Sequence, residues 1–317
     1  MTRRGAARAV VPGAALLAAL AAPWLAPRPP GLQEDPAGAR LLPPLTRAAA
    51  IPIGEHSTWI VRSLERTREG WTFVRAGRPG FLPHERIAGP PEARFYLLGT
   101  DALGRDLASR LPYALRHSGG VAALAVALAL VIGIAVGAGA AFGGRIWDAA
   151  LMRSVDVLMS IPRLLLFLIC ATLLGPSTLL LILVLGATTW TGLARVARAQ
   201  LMALRTSDLA LAARAVGPSF ARLLVGHLLP QIAPVIAVTA ALRFADTILL
   251  ESGLAFLGLG SPPPAVSLGG MIAAGREALS EAWWVAAWPG LAIAALVVAL
   301  RSMTAGLLRV NDPPSLQ

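Results

Sequence analysis

Five apolar runs constrain this chain more than anything else in it. They lie near 117–142, 150–173, 178–197, 232–257 and 284–308. A helix needs about 20 consecutive apolar residues to cross a bilayer, and each run meets that length. A sixth, Val10 to Ala26, follows Arg3, Arg4 and Arg8 and ends in Pro23-Trp24-Leu25-Ala26-Pro27. A basic start and short apolar core also suit a cleaved leader. The interfacial Trp and terminal Pro favour a retained helix. Only 14% of the residues are charged and 56% are hydrophobic, against about 25% charged in soluble domains. Six crossings of an all-α membrane protein are expected.

Arginine placement orients the chain. All 28 basic residues are Arg. With the N-terminus inside, the loops at 143–149 and 198–231 are inside too. They and their edges carry Arg145, Arg153, Arg195, Arg198, Arg205, Arg214 and Arg222. The opposite loop Leu-Gly-Pro-Ser-Thr-Leu has none, and 258–283 has only Arg276. The positive-inside bias therefore puts both termini in the cytoplasm. The formal charge of +11 is spread rather than patched, which argues against nucleic acid. Cys170 stands alone, so no intrachain disulfide or thiol cluster forms. The four histidines, at 56, 84, 117 and 227, lack metal-ligand spacing, and Ser57, Ser63 and Ser109 show no base and acid.

The domain order expected is 1–27 for the tail and first helix, then 28–116 as an extracytoplasmic segment ending in an interfacial helix. Residues 117–308 form the five-helix domain and 309–317 a cytoplasmic tail. Within 28–97, STWIVRSLERTREGWTFVRAG alternates enough for a short hairpin.

Two stretches outside the runs are dense in signal. LGTDALGRDLASRL, 98–111, crowds Thr100, Asp101, Arg105, Asp106, Ser109 and Arg110 together. Asp101–Arg105 and Asp106–Arg110 are i,i+4 pairs, and Leu103, Leu107, Leu111 and Leu115 recur every four residues. The spacing predicts an amphipathic helix on the outer membrane surface, capped by Thr100 or Asp101. The inside loop 199–231 reads as two short helices, the first capped by Ser207 or Asp208 with Ala212, Ala213 and Ala215 on its small face. Gly217-Pro218 breaks the pair. The second, 218–229, carries Phe220, Leu223, Leu224 and Leu228, before Pro230 and Pro234 lead into the fifth crossing.

ALAARAVGPSFARLLVGHLLPQIAPVI resembles the coupling-loop motif of ATP-binding-cassette importer permeases: Glu-Ala-Ala, three residues, Gly, then a spacer ending in Leu-Pro. LGTDALGRDLASRL is similar to the signature of the second (C-type) permease subunit of dipeptide and oligopeptide importers. ILLESGLAFLGLGSPPP, 248–264, and WWVAAWPGLAI, 283–293, resemble that family's flanks of the last two crossings. The likeness covers about 98–313. It departs at Leu211, where the motif has Glu, and at Leu268, where it has Trp.

The resemblance implies the type I ABC importer permease fold. It also implies a heterodimer with a second permease, two ATPase subunits that use ATP and Mg, and an extracytoplasmic substrate-binding protein. Docking falls to Ala212, Ala213 and Gly217, groove filling to Phe220 and Leu224, and an acidic contact to Asp208. The chain has no Lys and so no Gly-x-x-x-x-Gly-Lys loop. It is expected to be no enzyme and to hold no cofactor. The substrate implied is a peptide, with nickel or another small solute as the alternative. An ion-coupled transporter would favour repeated, broken helices in two halves. Arg243, Asp246 and Glu251 fall inside the fifth crossing, either lining the path or holding helices together. Arg163 follows Pro162 in the third, and GIAVGAGAAFGG, 133–144, has the glycine spacing of tight helix packing.

Overall fold

The computed structural model describes residues 21–53, 57–205 and 220–310. Helices dominate: α1 (Ala22–Leu25), α2 (Leu107–Phe142), α3 (Arg145–Ser160), α4 (Arg163–Leu174), α5 (Thr178–Arg205), α6 (Phe220–Leu223), α7 (Leu229–Phe256), α8 (Leu268–Arg276) and α9 (Trp284–Val310). Four are long and apolar enough to cross a membrane, and α3 with α4 makes a fifth if the bent pair is one span. The first expected crossing lies almost wholly outside the described residues.

The chain divides into two compact units. Among the described residues, one is built on those of 119–251 and 296–310, the other on those of 21–118 and 252–295.

In the first unit, small residues let helices close on one another. A Cβ on Gly133 would stand 2.8 Å from Leu193 Cβ, and one on Gly137 would stand 2.8 Å from both the Ala194 carbonyl and Ala197 Cβ. Ala129, Val155, Trp190, Leu193 and Ala194 are buried together. Gly133 and Gly137 thus serve helix packing, as their spacing implies, whereas Gly144, at φ +86°, makes the turn into α3. The expected third crossing is not a single rod. It breaks at Ile161-Pro162 and bends by 78°. Proline lacks the donor that would continue α3 and restricts the residue before it to extended backbone; Ile161 has ψ 122°. Arg195 pairs with Asp156 at 2.5 Å, and Arg198 with Asp148. Two arginines read as topology signals therefore also tie α5 to α3.

The second unit contains more than a hairpin. Six strands form two three-stranded antiparallel sheets: β1 (Thr46–Ile53), β2 (Ser57–Val61), β3 (Ser63–Arg66), β4 (Gly70–Arg75), β5 (Arg78–Pro83) and β6 (Glu92–Tyr96). Their orders are β2-β1-β6 and β3-β4-β5. The sequence reading sees only the 57–77 stretch, which holds β2, β3 and β4, because the long-range β1–β6 pairing leaves no local signal. Ile51, Val61, Phe73 and Leu82 fill one core. Asp35 anchors the segment. Its carboxylate accepts from Arg75 Nη2 at 2.7 Å and Nε at 2.9 Å, from Gly38 N at 3.0 Å and from Ile60 N at 2.8 Å. Burial pulls its pKa upward, but Arg75 and the two backbone donors outweigh that and hold it below the usual carboxylate range. Tyr96, buried in the second core, is pushed above the usual phenol range by desolvation.

Candidate functional site

The 98–111 stretch is a knot, not a surface helix. Residues before Leu107 form turns, and helix α2 begins only there. Gly99 has φ +82°, and a Cβ on it would stand 2.5 Å from the Leu42 carbonyl. The Thr100 hydroxyl accepts from Leu42 N at 2.7 Å and donates to the Ala39 carbonyl at 2.5 Å. Asp101 is buried; it accepts from Leu103 N and Arg105 N, and from Arg105 Nε at 2.7 Å. The expected Asp101–Arg105 pair thus forms, but across a turn. The expected Asp106–Arg110 pair does not. Asp106 accepts from Ser109 N at 3.0 Å and from Ser109 Oγ at 2.5 Å, where a helix start needs an acceptor. Arg110 turns instead to the Pro30 carbonyl at 2.9 Å and lies 3.7 Å from Asp101. Leu103 precedes the helix and is exposed, while Leu107 is buried, so the stripe is broken. The reason is desolvation: the polar groups find partners about 60–80 residues upstream, which a helix at the surface would leave in water.

The stretches that share a family likeness meet here. Trp288 Nε1 donates to the Leu98 carbonyl at 3.2 Å, and Trp284 Nε1 lies 3.4 Å from the Thr100 carbonyl. His117 Nε2 lies 2.8 Å from Ser261 Oγ, and Ser118 Oγ accepts from Leu268 N at 3.1 Å. Ser267 caps α8 through Gly270 N. Sequence reasoning missed Trp284, Trp288, Ser118 and Ser261 as partners of the knot and its helix. Their contacts span 90 residues or more, and no local period reports them.

A model described as the binding-protein-dependent transport system inner membrane component matches residues 129–314. The chain belongs to this family. A protein of Brucella suis biovar 1, named as a candidate peptide permease, is 39% identical over 217 residues, 68% of this chain and 72% of the relative. The di/tripeptide transport system permease protein DppC of Pseudomonas aeruginosa is 36% identical over 224 residues, 70% of this chain and 73% of the relative. An inward-facing structure of the MetNI methionine ABC transporter aligns with TM-score 0.50 at 19% identity, covering 64% of this chain and 97% of that one. The permease therefore has the type I ABC importer fold, largely helical, with the strands of 46–96 in addition.

In the permease, the expected coupling residues Asp208, Ala212, Ala213 and Gly217 lie outside the described residues. Beyond them, Phe220 opens α6, a π turn spans Leu224–Leu228, and α7 continues without a break. The expected second helix, 218–229, is thus not a separate element, and Pro230 lies within the continuing helix. The turn widens where Pro230 has no N–H for the Gly226 carbonyl. The Leu229 N–H reaches back five residues to Leu224, and Gln231 Nε2 donates to the His227 carbonyl at 3.1 Å. Leu223 and Leu228 are buried with Leu201 and Ile232, and Leu224 packs half-buried on the same cluster. The intramembrane charges divide. Glu251 is fully buried. Arg243 lies 3.8 Å from Asp246, which also accepts from Arg301 Nη2 at 2.9 Å.

Proposed function

We propose that the chain is a peptide permease subunit of an ATP-driven importer in the bacterial inner membrane, with both termini cytoplasmic. Alignment over about two thirds of the chain with proteins named for peptide transport carries the substrate reading. A second permease completes a heterodimer, and helices of both line one path. Two ATPase subunits bind and hydrolyse ATP with Mg; this chain supplies the membrane part. An extracytoplasmic binding protein delivers the solute. Residues 28–116 face that side, 117–308 make the membrane domain, and 309–317 end in the cytoplasm.

The physical task is transmission. ATP closes the two ATPases, their grooves carry the 199–231 loops, and the attached helices switch as rigid bodies between two openings. Ala212, Ala213 and Gly217 allow close docking, Asp208 stands in for the motif Glu absent at Leu211, and Phe220 and Leu224 fill the groove. The unbroken run from Phe220 through Pro230 into α7 supports this reading, because a continuous helix passes a push along its axis. Asp101, Arg105, Asp106 and Arg110 stiffen the outer mouth.

Co-purification tests the assembly: two ATPase subunits per permease pair are expected, and their absence overturns the importer reading. Uptake of labelled di- and oligopeptides is compared with uptake of nickel, using the binding protein encoded beside the permease. Saturable nickel uptake without peptide uptake overturns the substrate. Gly217→Asp is expected to leave the complex assembled and hydrolysing ATP while transport stops; transport at the normal rate sinks the docking assignment.

A further inference from the structure

Three helices of the first unit bring charge, or bare backbone, to one place. Arg243 and Asp246 lie at the middle of α7, about 20 Å of helix from either end. Gly192 is midway along α5. Arg301 lies on α9, about 25 Å along from Trp284. The Arg243 guanidinium rests on the bare backbone of α5: a Cβ on Gly192 would stand 2.2 Å from Arg243 Nη2. Asp246 accepts from Arg301 at 2.9 Å and faces Arg243 at 3.8 Å.

Among the described residues, two guanidiniums therefore share one carboxylate, an excess of one positive charge. A pair that only holds helices together needs one arginine. Two forks offer roughly ten donors against about four acceptor sites on Asp246. The side chains of Arg243, Asp246 and Arg301 are 29%, 39% and 57% exposed. Charge facing lipid at the bilayer centre costs about 2.5–3.5 kcal/mol per residue on insertion scales, so an open cationic cluster belongs on water.

We infer that Arg243 and Arg301 form an anion subsite of the translocation path that takes a substrate carboxylate, such as the free C-terminus of a peptide. The inference rests on the importer reading. Guanidinium forks match a carboxylate in bidentate fashion. Asp246 competes for the same donors, which keeps the ligand weakly held and able to leave. Gly192 seats Arg243 by having no side chain.

The test uses the purified complex of both permeases and ATPases without the binding protein. Binding of one fluorescent tripeptide is measured as free acid and as C-terminal amide. The complex is expected to prefer the acid by about tenfold. Arg243→Gln and Arg301→Gln should erase the preference, Arg301→Lys should retain part of it, and Gly192→Ala should weaken it by displacing the guanidinium. Asp246→Asn should bind the acid at least as tightly as the parent. A purely structural cluster predicts the opposite: Asp246→Asn and Arg243→Gln would both disrupt assembly, and that result overturns the subsite. Equal binding of acid and amide, no binding of either, or a preference that survives both Gln substitutions also overturns it. Peptide uptake into proteoliposomes, with the binding protein restored, separates the two ideas. Uptake alongside a failed binding test removes the subsite alone; no peptide uptake removes the substrate reading and the subsite together.

Discussion

Two regions of this permease use the same residues, arginine and aspartate, toward opposite ends. In the 98–111 knot, Asp101 is buried and enclosed by Leu103 N, Arg105 N and the Arg105 side chain. In the mid-helix cluster, Asp246 is 39% exposed and outnumbered by arginines. A carboxylate fed by backbone donors is committed, and moving it leaves buried N–H groups unpaired. A carboxylate shared among open guanidiniums can be replaced by another anion. The count of backbone donors, rather than the presence of an ion pair, thus separates a structural charge from one available to a ligand.

The largest effect is expected where the knot has no room. Gly99→Ala puts a Cβ 2.5 Å from the Leu42 carbonyl at φ +82° and should cost about 4 kcal/mol, read as loss of assembled complex at growth temperature. Wild-type assembly would erase the contrast between the two regions. Asp35→Asn leaves Arg75 without its ion-pair partner and should cost about 3 kcal/mol, read as faster hydrogen exchange across 46–96. The same carboxylate sets a pH dependence. Its folded pKa lies below its unfolded value of about 3.9. Its contribution is therefore full above that value and lost as pH falls through the folded pKa. Protection factors in 46–96, taken relative to intrinsic exchange at each pH, should fall in acid in the parent and much less so in Asp35→Asn. Gly137→Val overpacks α2 against α5 and should cost about 1–3 kcal/mol, read as a lower thermal midpoint of the purified complex. The smallest stability effect belongs to the open cluster. Arg301→Gln should change the thermal midpoint by an amount equivalent to less than about 1 kcal/mol. A loss as large as that of Asp35→Asn would show that the two regions do not differ in kind.

Much of the architecture is legible along the chain because the bilayer imposes a length. Runs of apolar residues read as helices, and helices of that length stand at α2, α5, α7 and α9. The Pro162 break is written in the sequence but its 78° bend is not, since bend depends on what the two halves pack against. Arg243 and Asp246 are legible as a pair at i,i+3. Arg301 is not, because it lies 55 residues from Asp246.

The knot is the clearest division of labour. Its residue types alone mark 98–111 as polar, capped and dense in charge, and the stretch resembles a permease signature. Folding in three dimensions settles the rest: Thr100 bonds Leu42 and Ala39, Arg110 answers Pro30 rather than Asp106, and Trp284 and Trp288 close over the turn. The physical reason is common to all of these. Periodicity reports neighbours three and four residues apart, whereas a buried polar group takes whatever partner folding brings within hydrogen-bond reach.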